Sequence, residues 1–337
     1  MTDFRFTVGE WLGALGDAGT LIPILLSLSV LNGIDLNRAL LLAGIAYVSS
    51  ALYFRLPVPV QPLKAMAAVA LIRGLDTSVI SAGALLMGVT FTIFGVTGLV
   101  PRLERFFPRS IIKGVQAGVG VMLFAAALRL LRPAAAAQAS VVHAASGLEA
   151  YDFVSAFFLL VLPQLPLTLG NAVFASADAL RGYYGERAGR ATPAALATTI
   201  GITNLAAFFI GAYPLCHGSG GVTAHYRFGA RTGGATLLCG TALIAVALLF
   251  PFTAYEILSG IPPAILGLML LYVAIRHIEL ASHWQEPREA LTIAVMAAIA
   301  LASANLTYSL LAGWATLAAS PTVAYVRRSL GGSSMTT

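Results

Sequence analysis

"PVPVQPLKAM", residues 57–66, decides the fold, because it places helix breakers and a cation between two strongly apolar runs. It contains three prolines, a glutamine and one of only two lysines in the chain. Proline restrains φ and disfavours the α conformation for the residue before it. The stretch therefore predicts an extended approach to a helix that begins near Lys64, inside an otherwise apolar region.

The composition indicates a helical membrane protein. The chain has 337 residues, 58% of them hydrophobic and only 10% charged, with a mean hydropathy of +0.85. A soluble protein needs far more polar surface. The apolar runs are long and numerous enough to cross a bilayer repeatedly, and they lack the two-residue alternation of a β-barrel. The net charge of +6 comes from arginines in short loops, which suits membrane topology and not nucleic-acid binding.

Twelve apolar segments predict the spans of an all-α polytopic protein. Two of them, c (60–73) and h (219–229), are too short to cross a bilayer as full helices, and each follows a proline-containing stretch. Short interrupted segments at corresponding places in two halves are typical of a transporter binding site. The predicted segments are a 9–31, b 37–54, c 60–73, d 79–100, e 109–131, f 151–180, g 193–212, h 219–229, i 234–250, j 262–276, k 289–304 and l 306–325.

Three pairs of positions indicate an internal repeat of about 155 residues. The first copy contributes five segments, an odd number, so the second copy enters the membrane from the opposite face and the repeat is inverted. Chance similarity among helices rich in Ala, Gly and Leu is the alternative. The pairs are Asp17 with Asn171, Pro62 with Gly218 and Pro108 with Pro262, at offsets of 154, 156 and 154 residues.

The basic residues predict the orientation. With the N-terminus inside, 15 lysines and arginines lie inside and four lie outside, and Lys64 is the remaining one of the 20. This distribution obeys the positive-inside rule. We therefore expect a multi-pass protein of the inner or plasma membrane with both termini in the cytoplasm.

The starts of segments c and h predict an anion site. A helix start leaves N–H groups unpaired and carries partial positive charge, so it binds anions well. In an inverted repeat the two starts face each other near the midplane. The cavity between them would suit a small oxyanion, and not a metal cation or an apolar drug. Its predicted ligands are Gln61, Lys64, His217, Gly218, Ser219, Gly220 and Asn171.

Each polar candidate has a simpler structural interpretation. Lys64 could snorkel to an interface, His217 could satisfy a loop carbonyl, and Gln61 could cap helix c. Asp17 lies at a break in segment a, where it would line an ion or substrate path or act as a local cap. Asn171 stands at the repeat-related position and could form only a helix–helix hydrogen bond.

Four motifs resemble the molybdate transporters of the MOT type, which are related to the SulP sulfate permeases. The resemblance runs over most of the chain and implies the fold shared with uracil permeases, with fourteen segments in two inverted sevens. It also implies a core domain that carries the site and a gate domain that flanks it. The motifs are "GALGDAGTLIP" (13–23), "PVPVQPLKAMAAVA" (57–70), "VLPQLPLTLGNAV" (161–173) and "YPLCHGSGGVTAHYRFGARTGG" (213–234).

Mapped on this chain, the resemblance divides it into two domains with a shortened gate. Only 18 residues separate Arg132 from Tyr151, where the family pattern has two more spans, so we expect about twelve segments. The predicted parts are the core (1–100 and 151–250), the gate (101–131 and 251–325), an external connection (132–150) and a cytoplasmic tail (326–337).

These expectations describe a secondary transporter of a tetrahedral oxyanion. Molybdate is the expected substrate, moved by alternating access in the bilayer, with Asp17 coupling transport to protons. Sulfate is the near alternative, and a passive anion channel or a non-transporting anion-binding protein are the others. A homodimer is compatible with the gate. No zinc spacing, P-loop or serine–histidine–acid arrangement indicates an enzyme, and we expect no cofactor and no nucleic-acid partner.

Overall fold

The protein was analysed as a computed structural model that describes residues 4–103, 106–132, 147–249 and 261–331. These residues are mostly helical, and helices coincide with all twelve predicted segments. The elements of the first half are α1 (Val8–Ala14), α2 (Ala18–Asn32), α3 (Leu36–Phe54), β1 (Gln61–Pro62), α4 (Lys64–Arg73), α5 (Thr77–Val96), α6 (Val100–Leu103) and α7 (Arg109–Leu130).

The second half follows the same order of elements. Its long first segment contains two π-helical stretches, Phe157–Val161 and Thr168–Phe174, which flank Pro163 and Pro166. Proline removes an amide donor, and a π-turn accommodates the interrupted ladder. The elements are α8 (Ala150–Ala156), α9 (Leu162–Leu167), α10 (Ala175–Tyr184), a 3₁₀ helix (Gly185–Arg190), α11 (Pro193–Ile210), β2 (Leu215–Cys216), α12 (Ser219–Arg227), α13 (Gly234–Leu249), α14 (Pro263–Ala281), α15 (Pro287–Ser303) and α16 (Leu306–Gly331).

Seven of the described helical stretches are long and apolar enough to cross a membrane. Two shorter apolar helices, Gly234–Leu249 and Leu306–Ala319, accompany them. The multi-pass character predicted from composition is therefore confirmed. The seven stretches are Val8–Asn32, Leu36–Phe54, Thr77–Val96, Arg109–Leu130, Ala150–Arg190, Pro193–Ile210 and Pro263–Ala281.

The two half-helices begin beside each other, because the chains that lead to them pair as strands. β1 and β2 are antiparallel, with Gln61 opposite Cys216 and Pro62 opposite Leu215. The Leu63 N–H extends the pairing by donating to the Pro214 carbonyl at 3.1 Å. Helix α4 consequently starts at residue 64, whereas the sequence placed segment c from about 60. The extended approaches were predicted, but their pairing was not.

Helix packing has the symmetry expected of the inverted repeat. Helix α5 packs extensively on α11, and α3 packs extensively on α13. In the repeat, α3 corresponds to α11 and α5 corresponds to α13. The contact of α5 with α11 therefore corresponds to the contact of α13 with α3. The inverted-repeat fold is thus confirmed.

Helix α7 packs on α14, α15 and α16, all assigned to the predicted gate. The predicted external connection lies largely outside the described residues, which resume at 147. Helix α7 ends at Leu130 and α8 begins at Ala150, a separation too short for two spans of about 20 residues each. Helix α16 continues to Gly331, so part of the predicted tail is helical. The division into core and gate stays a prediction.

Candidate anion-binding site

Four buried polar side chains form a hydrogen-bonded chain beside the two half-helix starts. The Tyr47 hydroxyl donates to Asp17 Oδ2 at 3.0 Å, and Gln61 Nε2 donates to Asp17 Oδ1. Lys64 Nζ in turn donates to Gln61 Oε1. This hydrogen-bonded chain of side chains links helix α3, the break before α2, strand β1 and the first residue of α4. It brings Asp17, Gln61 and Lys64 together, as the oxyanion hypothesis requires.

Lys64 does not snorkel to an interface. Its side chain is buried, with 8% of the residue exposed, and its ammonium group is engaged by Gln61. A lysine inside a membrane protein is costly and usually functional. The structural interpretation of Lys64 as an interfacial residue is therefore wrong.

Asp17 lies where segment a breaks between α1 and α2. Although Asp17 occupies the N-cap position of α2, its side chain caps no backbone N–H group. The break approaches α12 closely, because a Cβ at Gly16 would lie 3.0 Å from the Ala224 carbonyl carbon and the His225 nitrogen. The carboxylate is thus aimed at Tyr47 and Gln61, and the local-cap interpretation of Asp17 is wrong.

The start of α4 is not open, contrary to the sequence-based prediction. Gln164 Oε1 accepts hydrogen bonds from the N–H groups of Ala65 at 2.9 Å and Met66 at 3.1 Å. Gln164 Nε2 donates to Thr168 Oγ1 at 2.9 Å, which fixes the amide. Gln61 therefore does not cap this helix. Sequence reasoning missed Gln164, although a glutamine between two prolines in an intramembrane segment was a usable signal.

The start of α12 keeps the character predicted for it. Its N-cap is Gly218, and no side chain caps the helix among the described residues. The Ser219 hydroxyl donates to Asn171 Oδ1 at 2.7 Å, so Asn171 forms the helix–helix hydrogen bond that was its simpler interpretation. Gly220 is exposed, and a Cβ there would meet no atom within 4 Å. The N–H groups of this helix start are the better anion donors of the two.

Glycines allow α12 to lie directly against Gln61. A Cβ at Gly218 would collide with Gln61 Oε1, and a Cβ at Gly221 would lie 2.7 Å from Gln61 Nε2. Gln61 is thus held between Lys64 and the start of α12. An anion that displaced its Oε1 from Lys64 would meet both groups at once.

The side chain of His217 points away from the hydrogen-bonded chain that contains Gln61 and Lys64. Its Nδ1 lies 2.7 Å from the Pro59 carbonyl, and its Nε2 lies 2.8 Å from Thr199 Oγ1. A neutral ring that donates from Nδ1 satisfies the carbonyl of the strand approach. The structure therefore favours the loop-carbonyl interpretation of His217 and does not join it to the Lys64 cluster.

His277 is a candidate that the sequence did not reveal. It lies on α14, is 4% exposed, and its Nδ1 has no hydrogen-bond partner among the described residues. Helix α14 packs on α2, the helix that follows Asp17. A lone histidine in a membrane helix carries no motif, so only the packing of α14 against the core identifies it.

The arrangement suits an anion. In the described part of the chain, no group of three His, Cys, Asp or Glu side chains is placed to hold a metal ion. One ammonium group, one carboxyl group and one open helix start meet around Gln61. A helix start contributes about half a positive charge, and it binds oxyanions through its N–H groups.

Comparisons with known proteins agree with this chemistry. A family described as "Molybdate transporter of MFS superfamily" matches residues 9–123 and 156–276, which correspond to the two repeat units. Molybdate transporter 2 of Arabidopsis thaliana is 25% identical, covering 88% of this chain and 83% of its own. Molybdate transporter 1 of the same plant is 24% identical, covering 81% and 79%.

Solved structures share the fold. The transmembrane domain of the cyanobacterial bicarbonate transporter BicA gives a TM-score of 0.65 at 16% identity, covering 92% of this chain and 98% of its own. The murine anion transporter Slc26a9 gives 0.57 at 12% identity, covering 96% and 69%. At such identities these likenesses concern the fold alone. Because the family match covers more than half of the chain, this protein belongs to the molybdate transporter family, a family of membrane transporters and not of enzymes.

Proposed function

We propose that the protein is a secondary transporter of molybdate that works by alternating access. Two relatives that match most of its length bear the name molybdate transporter. The observation that carries the proposal is the buried Lys64, held by Gln61 beside the uncapped start of α12. Molybdate is a tetrahedral dianion, and this pair of groups offers a full positive charge and converging N–H donors.

Binding proceeds by exchange of hydrogen-bond partners. The oxyanion takes the place of Gln61 Oε1 at the Lys64 ammonium group and accepts N–H groups from the first turn of α12. Gln61 remains bonded to Asp17 through its Nε2 and can orient the substrate. The binding energy thus comes from charge-assisted hydrogen bonds, which are stronger than neutral ones.

Alternating access would use movement between the predicted core and the predicted gate. The half-helices and their strand pair form a compact centre, while α14 packs both on α7 and on α2, the helix that follows Asp17. Movement of the predicted gate against the predicted core would open the site first to one side and then to the other. Helix α7 of the predicted gate packs on α4, the half-helix that begins with Lys64.

The charges at the site support the proposal of proton coupling. Lys64 and Asp17 balance each other across Gln61, so an arriving dianion adds unmatched negative charge near a carboxylate. A carboxylate beside a dianion is repelled unless it is protonated. Uptake of a proton by Asp17 together with the anion removes this repulsion and couples the two movements.

We propose that the protein lies in the inner or plasma membrane and that both of its termini are in the cytoplasm. The excess of basic residues on one side supports it. A cysteine placed at Gly147 should react with an impermeant external reagent, and one placed at Gly185 should be protected. Reaction at Gly185 with protection at Gly147 contradicts the orientation. Labelling of both from the same side contradicts the crossing of the membrane by α8–α10.

The proposed function is tested by uptake of radiolabelled molybdate into proteoliposomes. We expect saturable uptake that an inward proton gradient accelerates and that excess sulfate inhibits weakly. Strong inhibition by equimolar sulfate would make sulfate the substrate instead. Non-saturable flux would indicate a channel, and binding without flux would indicate a non-transporting protein.

A further inference from the structure

A separate cavity of about 420 Å³ lies behind the strand pair, between α3 and α11. Its lining contains none of the residues of the Lys64 cluster, which are Tyr47, Asp17, Gln61 and Lys64. Its volume is in the range of small-molecule sites. The cavity is also lined by both residues of β2, Leu215 and Cys216, and by Val60 and His217, which flank the strands.

The lining suits an apolar occupant, because its polar groups are already engaged. The Ser50 hydroxyl donates to the Val58 carbonyl at 3.0 Å, and the Thr198 hydroxyl donates to the Ala194 carbonyl at 2.9 Å. His217 is bonded to Pro59, as described above. The rest of the wall is largely apolar, so a polar ligand would find few free partners.

The mouth of the cavity opens on the membrane-facing side of two spanning helices. Ile45 and Tyr53 of α3 and Ile202 of α11 line it and are 44%, 48% and 56% exposed. Large apolar side chains exposed on membrane-spanning helices face lipid. The mouth of the cavity therefore opens to the acyl region of the bilayer.

The length of the cavity matches one leaflet. Its lining runs along α3 from Leu42 to Tyr53, twelve residues whose eleven steps rise about 16 Å in a helix. The hydrocarbon core of a bilayer is about 30 Å thick, so one leaflet contributes about half of that. The cavity extends from the level of the strands to the end where α3 stops and α11 begins, which is the edge of the membrane.

An arginine stands at that edge. Arg190 is exposed and donates from Nη1 to the Tyr53 carbonyl at 3.2 Å. This bond uses one of five N–H donors, and the guanidinium group is well shaped for phosphate. We propose that the cavity holds one acyl chain of an anionic phospholipid, whose phosphate is bound by Arg190.

The lipid stabilises the strand pair from behind. It fills the space against Val60 and His217, whose chain neighbours Gln61 and Gly218 belong to the anion site. Occupancy should therefore raise the thermal stability of the protein. This lipid site does not depend on the identity of the transported anion.

Cys216 lines the cavity and reports its occupancy, while Cys239 does not line it and serves as an internal reference. Purified protein in detergent is treated with N-ethylmaleimide, and both cysteines are followed by peptide mass spectrometry. Phosphatidylglycerol should slow the alkylation of Cys216, and phosphatidylcholine should do so more weakly. The variant Arg190→Gln should raise the half-maximal phosphatidylglycerol concentration about fivefold.

Arg38→Gln is the matched control, because Arg38 donates to the Ile210 carbonyl at the opposite end of the same two helices. It should leave the lipid effect unchanged. Equal protection by both lipids, or an equal effect of the two arginine variants, overturns the proposal. Protection that grows with protein concentration without lipid would mean that a second copy covers the cavity, which also overturns it.

Native mass spectrometry decides the matter if Cys216 proves unreactive in every condition. A phosphatidylglycerol molecule retained by the wild type and lost in the cavity-filling variant Ala206→Phe supports the site. Retention of the same number of lipids by both proteins contradicts it.

Discussion

The substitution Lys64→Gln removes the one cation of the hydrogen-bonded chain while keeping a polar side chain in its place. In the structure Lys64 is buried and donates to Gln61, which lies against the start of α12. A molybdate ion that binds there loses one charge-assisted hydrogen bond, worth ~1.5–3 kcal/mol. This corresponds to an increase in Kd of about ten- to a hundredfold.

The effect should be on affinity more than on folding. Equilibrium binding of molybdate to the purified protein gives the Kd, and thermal unfolding checks that the variant is intact. Lys113→Gln is the matched control, since the second lysine of the chain pairs with Glu289 at 2.9 Å in a cleft outside the site. Lys64→Arg keeps the charge but not the compact shape, so it should retain part of the affinity. Unchanged affinity in a folded Lys64→Gln protein would refute the reasoning.

Three further substitutions test other parts of the site. Gly218→Ala should weaken molybdate binding, because the added Cβ would displace Gln61. Gly182→Ala is the control and should not weaken it, since its Cβ would have no atom within 4 Å. Equal effects of the two variants would contradict the role of the contact between Gly218 and Gln61. Asp17→Asn should abolish the acceleration of uptake by a proton gradient, and a retained acceleration would leave Asp17 only a structural role. His277→Phe should slow uptake severalfold yet keep or raise the thermal stability. The stability should not fall, because the variant removes a buried nitrogen that has no hydrogen-bond partner among the described residues, and such a nitrogen costs about 1–3 kcal/mol. Lower stability with unchanged uptake would show that this imidazole only fills space.

The sequence predicted the membrane spans and the two half-helices well, because both leave local signals. Apolar runs of sufficient length indicate spans, and the prolines before Lys64 exclude a helix there. Gly218 and its neighbours marked the second half-helix in the same way. These features depend on adjacent residues, which a single sequence displays directly.

The features that the sequence did not predict depend on contacts between distant residues. Pairing of Gln61 with Cys216 involves two residues on each strand, too few for any periodic pattern. Gln164 caps α4 from about a hundred positions away, so the helix start that appeared open is partly closed. His217 was placed in the site because it precedes Gly218, but successive residues of an extended chain point to opposite sides.

The location of the bound anion is the central claim, and molybdenum allows it to be observed directly. Crystals of the protein grown with molybdate can be measured at the molybdenum absorption edge, where the metal scatters anomalously. We predict a single strong anomalous peak within hydrogen-bond distance of Lys64 Nζ and of the first N–H groups of α12. A peak elsewhere, such as the basic cleft around Arg109 and Lys113, with none beside Lys64 would contradict the account.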